Sequence, residues 1–174
     1  MKIKINDKHL KLISNLDKNQ NAGFTLIELL VVIIIIGILS AIALSSFLNQ
    51  AAKARGAEAK ANVGAMNRAQ QAHFLERYSF TTNIENLGLG MDNSTDNFIY
   101  DAVANGTLLT GVTNRGTSRR TDITSYAGAT FYPIGYTTTI LCEADEPGSN
   151  TISNPTPPTA STSAQCPTNT RELK

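Results

Sequence analysis

Three regimes of polarity follow one another along the chain. From Phe24 to Leu44 the sequence is an apolar run whose only charge is Glu28. It has 21 residues, and at about 1.5 Å of rise per residue a helix of that length covers roughly 32 Å, enough to cross the hydrocarbon core of a bilayer. Residues 45–78 are rich in Ala, Lys, Arg, Gln and Glu, all good helix formers. Ala52, Ala59, Val63, Met66, Ala69 or Gln70, and His73 recur there at three- and four-residue spacing as a modest apolar stripe. Lys53, Arg55, Lys60, Arg68 and Arg77 are assigned to the opposite face. One helix over residues 24–78 is predicted, about 80 Å long by the same rise. Gly56 and Gly64 each weaken it by about 1 kcal/mol relative to Ala, so they mark either a bend or a close packing contact.

The third regime lacks helical periodicity. Residues 79–90, SFTTNIENLGLG, read as an exposed loop with one short helical turn. Segments rich in Val, Ile, Thr, Tyr and Phe at 97–103, 107–113, 125–133 and 136–142 read as strands. Asn105-Gly106 is a hairpin turn signal between the first two, and Pro133 ends or edges the third. The fold class is α+β: a long N-terminal helix, its outer half laid against a small antiparallel sheet. Residues 114–124 read as a solvated loop in which Arg115, Arg119 and Arg120 stand close together. DNA, an acidic surface or a neighbouring subunit are the partners three arginines could touch, but without interleaved aromatics the signal for DNA is weak. The stretch from Glu143 onward holds five of the six prolines and a dense Ser and Thr run, so it forms no large core. Glu143, Asp145 and Glu146 lack a full calcium-loop pattern and read as a solvated acidic turn.

At 174 residues the chain fits one domain with appendages. Its net charge of +1 is unevenly placed: residues 1–23 carry five Lys against Asp7 and Asp17, leaving ten basic and twelve acidic residues beyond. A strongly basic nucleic-acid domain is not indicated by that balance. The Lys excess ahead of the apolar run places the amino terminus in the cytoplasm and the remainder outside. In that exported compartment Cys142 and Cys166 favour a disulfide, with two independent thiols as the alternative; two sulfurs without clustered His are too few for zinc. Only His9 and His73 occur, and a phosphate-cradling loop is missing, so no catalysis, metal or cofactor is expected. Asn93-Ser94-Thr95 and Asn105-Gly106-Thr107 match the N-linked acceptor pattern, although the turn signal already accounts for Asn105.

Glu28 is the residue that needs a reason. A charge within the hydrocarbon costs on the order of 2.5 to 3.5 kcal/mol on insertion scales and normally marks a functional site with a partner. Lys, Arg and His are all absent from residues 24–44. Cleavage between Gly23 and Phe24 would create one, a free amino group about one helical turn away. The residues Gly23, Phe24, Thr25, Leu26, Ile27 and Glu28, followed by an apolar run broken by Gly37, resemble the start of type IV prepilins and their type II secretion relatives. A leader of 23 residues is long beside those of many such pilins and is similar to leaders found in photosynthetic bacteria. Where that family often has a proline, this chain has Ser45.

The resemblance implies a leader over 1–23, a transmembrane and assembly segment over 24–44, an amphipathic outer helix over 45–78 and a globular β domain over 79–174 closed by a 142–166 disulfide loop. It implies cleavage after Gly23 by a prepilin peptidase, N-methylation of Phe24, and docking of Phe24 and Glu28 into a homopolymeric filament. The partners are the peptidase, the pilus machinery of the inner membrane, the membrane itself before assembly and, on the arginines alone, DNA. The expected product is an extracellular fibre for motility, adhesion and DNA uptake, built from an inner-membrane precursor. The rival readings are a type II secretion pseudopilin, a minor pilin, a signal peptide or plain anchor, and a membrane-anchored binding or enzyme domain.

Overall fold

The computed structural model describes residues 24–133 and 135–173. The expected leader, with Gly23 and His9, lies outside the described residues. Helix α1 spans Leu26–Arg77, a 3-10 turn spans Ile84–Leu87, and five strands follow: β1 Phe98–Ala104, β2 Gly111–Ser118, β3 Tyr126–Phe131, β4 Thr138–Ala144 and β5 Thr170–Glu172. The chain divides into two compact units, Met1–Phe47 and Leu48–Lys174. Among the described residues of the first unit the secondary structure is helical, and every large apolar side chain from Phe24 to Phe47 is between 45% and 85% exposed.

In the second unit the strands are antiparallel neighbours in chain order, β1-β2-β3-β4-β5. Period-two alternation sends Phe98, Tyr100 and Ala102 of β1 inward and leaves Ile99 exposed and Asp101 part-exposed. The inward residues meet Ala59, Val63, Met66 and Phe74 of α1, joined by Phe80, Ile84, Val112 and Ile123, in one apolar core. Gly56, Asn67 and Gln70 are also buried on that helix face. A side chain at Gly56 would place its Cβ 2.7 Å from the Tyr126 hydroxyl, so this glycine permits close packing. Gly128 is comparable, because a Cβ there would lie 2.5 Å from the Asn67 side-chain amide.

Strand β3 is buried at all six positions because both faces of the sheet are covered. Ala129, Phe131, Ile140 and Cys142 form a second apolar cluster against Ala164 and Cys166, and Ile152 and Pro155 are buried in the same carboxy-terminal segment. The polar groups enclosed between α1 and the sheet bond one another. Asn114 Nδ2 donates to Asn67 Oδ1 at 2.8 Å, Asn67 Nδ2 to the Ile140 carbonyl at 3.1 Å, and Gln70 Nε2 to the Thr81 carbonyl at 2.6 Å. Among the described residues no buried side-chain nitrogen or oxygen lacks a partner, as a low-dielectric interior requires.

Several expectations are corrected here. The second strand begins at Gly111 and runs to Ser118, through part of the segment 114–124 expected to be a solvated loop. Its start is delayed by a hydrogen-bonded turn at Thr107 and Thr110, in which both the Thr110 and Gly111 N–H groups donate to the Thr107 carbonyl. The Asn105-Gly106 signal marks this connection, with Gly106 at φ +85°, but it is longer than a two-residue hairpin. The 79–90 segment is not uniformly exposed. Gln70 clamps the Thr81 backbone at both its carbonyl and its N–H, and Phe80 packs on Phe74 with ring centroids 4.6 Å apart. The short edge strand β5 was not foreseen. His73 sits at the edge of the stripe, its Nδ1 2.7 Å from the Ser79 carbonyl. Ala54, Ala61, Ala72 and Arg68 are exposed on α1 away from the buried stripe, whereas Lys53 and Lys60, expected on that far face, flank the sheet beside Tyr126 and Glu143, and Arg55 reaches Asp122.

Candidate assembly site

Helix α1 starts with its own fastening. Thr25 occupies the N-cap position, accepting the Glu28 N–H at 3.3 Å through Oγ1, and the Glu28 carboxylate reaches back to accept the Thr25 N–H at 2.8 Å. The Thr25 hydroxyl donates to the same Oε2 at 2.8 Å. This is a capping box, T-x-x-E, which satisfies donors that a helix start otherwise leaves open. The sequence signal for it is Thr25 followed three residues later by Glu28 at the head of an apolar run. Both bonds fall on Oε2, and among the described residues no donor reaches Oε1. Glu28 also borders a surface depression of about 390 Å³ with Phe24, Ile27, Val31 and Val32. The carboxylate is thus held, oriented and surrounded by apolar surface, with one oxygen left to meet a positive group. Phe24, 85% exposed, adjoins the cap residue, so a new amino terminus would arise beside it.

The other predicted site lies in the second unit. Cys142 and Cys166 are bonded, with Cα atoms 5.7 Å apart, within the normal disulfide range. The enclosed segment is tied down independently: Asn105 Nδ2 donates to the Pro155 carbonyl at 2.8 Å, and Thr156 and Gln165 exchange backbone bonds at 2.9 and 3.1 Å. Asn105 is therefore buried and engaged, and its acceptor motif serves the fold.

The three arginines do not stand free in a loop. Arg115 lies on β2 directly opposite Asp101 of β1 and pairs with its carboxylate. Arg120 pairs with Asp122 at 2.8 Å, and Asp122 also takes Arg55 at 3.1 Å. Arg119 donates to the Thr95 carbonyl at 3.0 Å and to Ser94 Oγ at 3.2 Å. With Arg115 paired to Asp101 and Arg120 sharing Asp122 with Arg55, the group presents less positive potential than its sequence suggested.

Glu143 belongs to strand β4 and is not part of an acidic turn. It accepts from Tyr126 Oη at 2.8 Å, Thr124 Oγ1 at 3.0 Å and Arg171 Nη2 at 2.7 Å, clasping β5 to the sheet. Burial alone would push its carboxyl up, but the hydrogen bonds from Tyr126, Arg171 and Thr124 outweigh it and hold the group below its ordinary 4.5. Burial, with a further contribution from Glu143, pushes the Tyr126 hydroxyl up to about 12. A depressed carboxylate stabilises the fold above its unfolded value, and that contribution is lost as pH falls through the folded value. In urea titrations of the purified protein, Glu143→Gln should lower the midpoint at neutral pH, and the difference between the two proteins should shrink as the pH falls below the ordinary carboxylate range. Among the described residues no cluster of His, Cys, Asp or Glu is grouped to hold a metal ion.

Comparison with known proteins finds matches in both units. The profile of the type IV pilin-like G and H family matches residues 56–167, and that of the prokaryotic N-terminal methylation motif matches residues 18–44. Over 62 residues the chain is 50% identical to the type IV major pilin protein PilA of Myxococcus xanthus strain DK1622. That alignment covers 34% of this chain and 28% of the relative. No solved structure matches. The chain belongs to the type IV pilin-like G and H family, with a prokaryotic N-terminal methylation motif at its amino-terminal side.

Proposed function

We propose that this chain is the structural subunit of a type IV pilus. The observation that carries the reading is the wholly exposed apolar part of α1, headed by a carboxylate that is capped but not neutralised. A helix apolar on all sides must be covered, by lipid in the precursor and by neighbouring subunits after polymerisation. The precursor spans the inner membrane once with its amino terminus in the cytoplasm. A prepilin peptidase cuts between Gly23 and Phe24, and Phe24 is methylated. In the fibre Glu28 meets a subunit amino terminus, which removes the cost of an unpaired charge in an apolar core. The disulfide-closed carboxy-terminal segment is displayed at the surface, and the fibre serves surface motility and adhesion. The bond between Cys142 and Cys166 favours a pilus over a secretion pseudopilin. DNA uptake has less behind it, since Arg115 and Arg120 are already paired.

Intact-mass measurement of fibres sheared from cells tests this directly. The expected species begins at Phe24, carries one added methyl group and retains the disulfide. Protein found only in membranes with residues 1–23 attached would overturn the processing and the assembly together.

A further inference from the structure

Two surface features of the unit Leu48–Lys174 have no part in the reading above. One is an apolar prominence. Leu75, Tyr78, Leu109 and Tyr136 are 73%, 77%, 62% and 63% exposed. They sit on segments bonded to one another: the Phe80 N–H donates to the Leu108 carbonyl at 2.7 Å, the Tyr132 N–H to the Thr110 carbonyl at 3.0 Å, and Gln71 Nε2 to Thr137 Oγ1 at 3.2 Å. The end of α1, the β1–β2 connection and the β3–β4 connection therefore meet at one end of the unit. Apolar side chains concentrated in this way mark a contact surface.

The second feature is a groove of about 530 Å³, whose lining includes Ala52, Lys53, Ile123, Tyr126, Glu143 and Leu173. It lies at the opposite end. In an antiparallel sheet of this order, the β2–β3 and β4–β5 connections fall opposite the β1–β2 and β3–β4 connections. On α1, Lys53 and Leu75 are separated by about 33 Å at the helical rise.

We propose that in the fibre the prominence of one subunit docks into this groove on a second copy. The proposal rests on the pilus-subunit reading and extends it to a specific contact between outer domains. A prominence and a groove at opposite ends of one chain make a heterologous contact, which propagates as an open helical filament when the rotation does not close. Each added subunit fills one groove and supplies another. The chemistry also matches. Tyrosine offers an apolar ring and a polar tip and is favoured at interface cores. The groove has the apolar Ala52, Ile123 and Leu173 beside charged Lys53 and Glu143. On α1 the groove wall begins at Asn49, directly after Leu48, itself 58% exposed.

The test places a photoreactive p-benzoylphenylalanine at Tyr78 in one strain and at Leu109 in another. Both positions are exposed, so the label fits without disturbing the core. Fibres of the full chain are sheared, irradiated and digested. The expected result is a covalent dimer, absent from unirradiated fibres, in which the label is joined to a peptide containing residues 49–60, 122–126 or 171–173. Labelled fibres that form but crosslink elsewhere, or not at all, would overturn the docking and leave the pilus reading intact. If the unlabelled chain itself is never found in fibres, the underlying reading fails and the docking falls with it.

Discussion

Glu28→Ala should reduce recovered fibre by roughly 100-fold or more, and Glu28→Gln should do nearly as much damage. Three contributions of the carboxylate separate in these two variants. The first is the cap: Ala abolishes the back-bond to the Thr25 N–H, whereas Gln can still make it, because Gln substitutes for Glu in capping boxes. The cap contributes about 0.5 to 2 kcal/mol. The second is charge pairing in the fibre, and breaking a buried pair by removing one partner costs about 3 to 5 kcal/mol, or about two to three and a half powers of ten in an equilibrium. The third acts on the precursor: without the charge its helix is more at home in lipid, by at most the roughly 2.5 to 3.5 kcal/mol that a charge costs at a helix centre, which also favours the membrane over the fibre. Pairing and lipid preference are shared by both variants, so the Gln variant should fail even though its helix start is intact. Quantifying sheared fibre by immunoblot, with membrane-held subunit as the internal control, decides the matter. Wild-type yield from Glu28→Gln would show that the cap alone suffices and that no charge pair forms.

Removing the disulfide should have the next largest effect. For the Cys142–Cys166 crosslink, with a sequence separation of 24, the chain-entropy account gives about 3 to 4 kcal/mol. For a domain of this size that lowers the melting temperature by roughly 10 to 15 °C. The loss should be local before it is global. The segment after β4 covers one face of the sheet through Ile152, Pro155 and Cys166, and between Gly148 and Arg171 it is held otherwise by few ties: the Gly148 backbone bonds to Ile123 and Ser125, the Asn105 bond to Pro155, the Glu143–Arg171 clasp and the three-residue β5. In the Cys142→Ser, Cys166→Ser double variant, limited proteolysis should nick residues 145–169 well below the temperature at which the core of α1 and β1–β4 unfolds. Coincident cutting of loop and core would show that the segment is integral to the cooperative unit.

What the sequence disclosed depended on the range over which each signal acts. Helix α1 was legible because its determinants are local: helix-forming composition, three- and four-residue spacing and an apolar run. Strands β1, β3 and β4 fell within about two residues of their positions because each carries aromatic or β-branched residues near its ends or centre: Phe98, Ile99 and Tyr100, Tyr126, Thr130 and Phe131, and Thr138, Thr139 and Ile140. Strand β2 was misplaced because its inward residues include Asn114 and Gly116, which look like loop residues. Asn114 is accepted in the core only because Asn67 and Gln70 lie 47 and 44 positions earlier. The burial of Phe80 and Thr81 likewise depends on Gln70, and the pairing of Arg115 on a strand register that no local pattern reveals. The Glu28 site was legible as a cluster of residue types, whereas the direction of its hydrogen bonds required coordinates. β5 offered three polar residues, Thr170, Arg171 and Glu172, too short for any period.

The backbone bridge between Thr156 and Gln165 isolates the tip beyond it. Residues 157–163 are exposed or nearly so, and among their hydrogen bonds those of Thr159 and Thr162 are made to each other or to Ser161. Changes of sequence or length at this tip therefore leave the sheet, the disulfide and the assembly helix untouched. The surface that this tip presents is thereby free to change without cost to the packing beneath it.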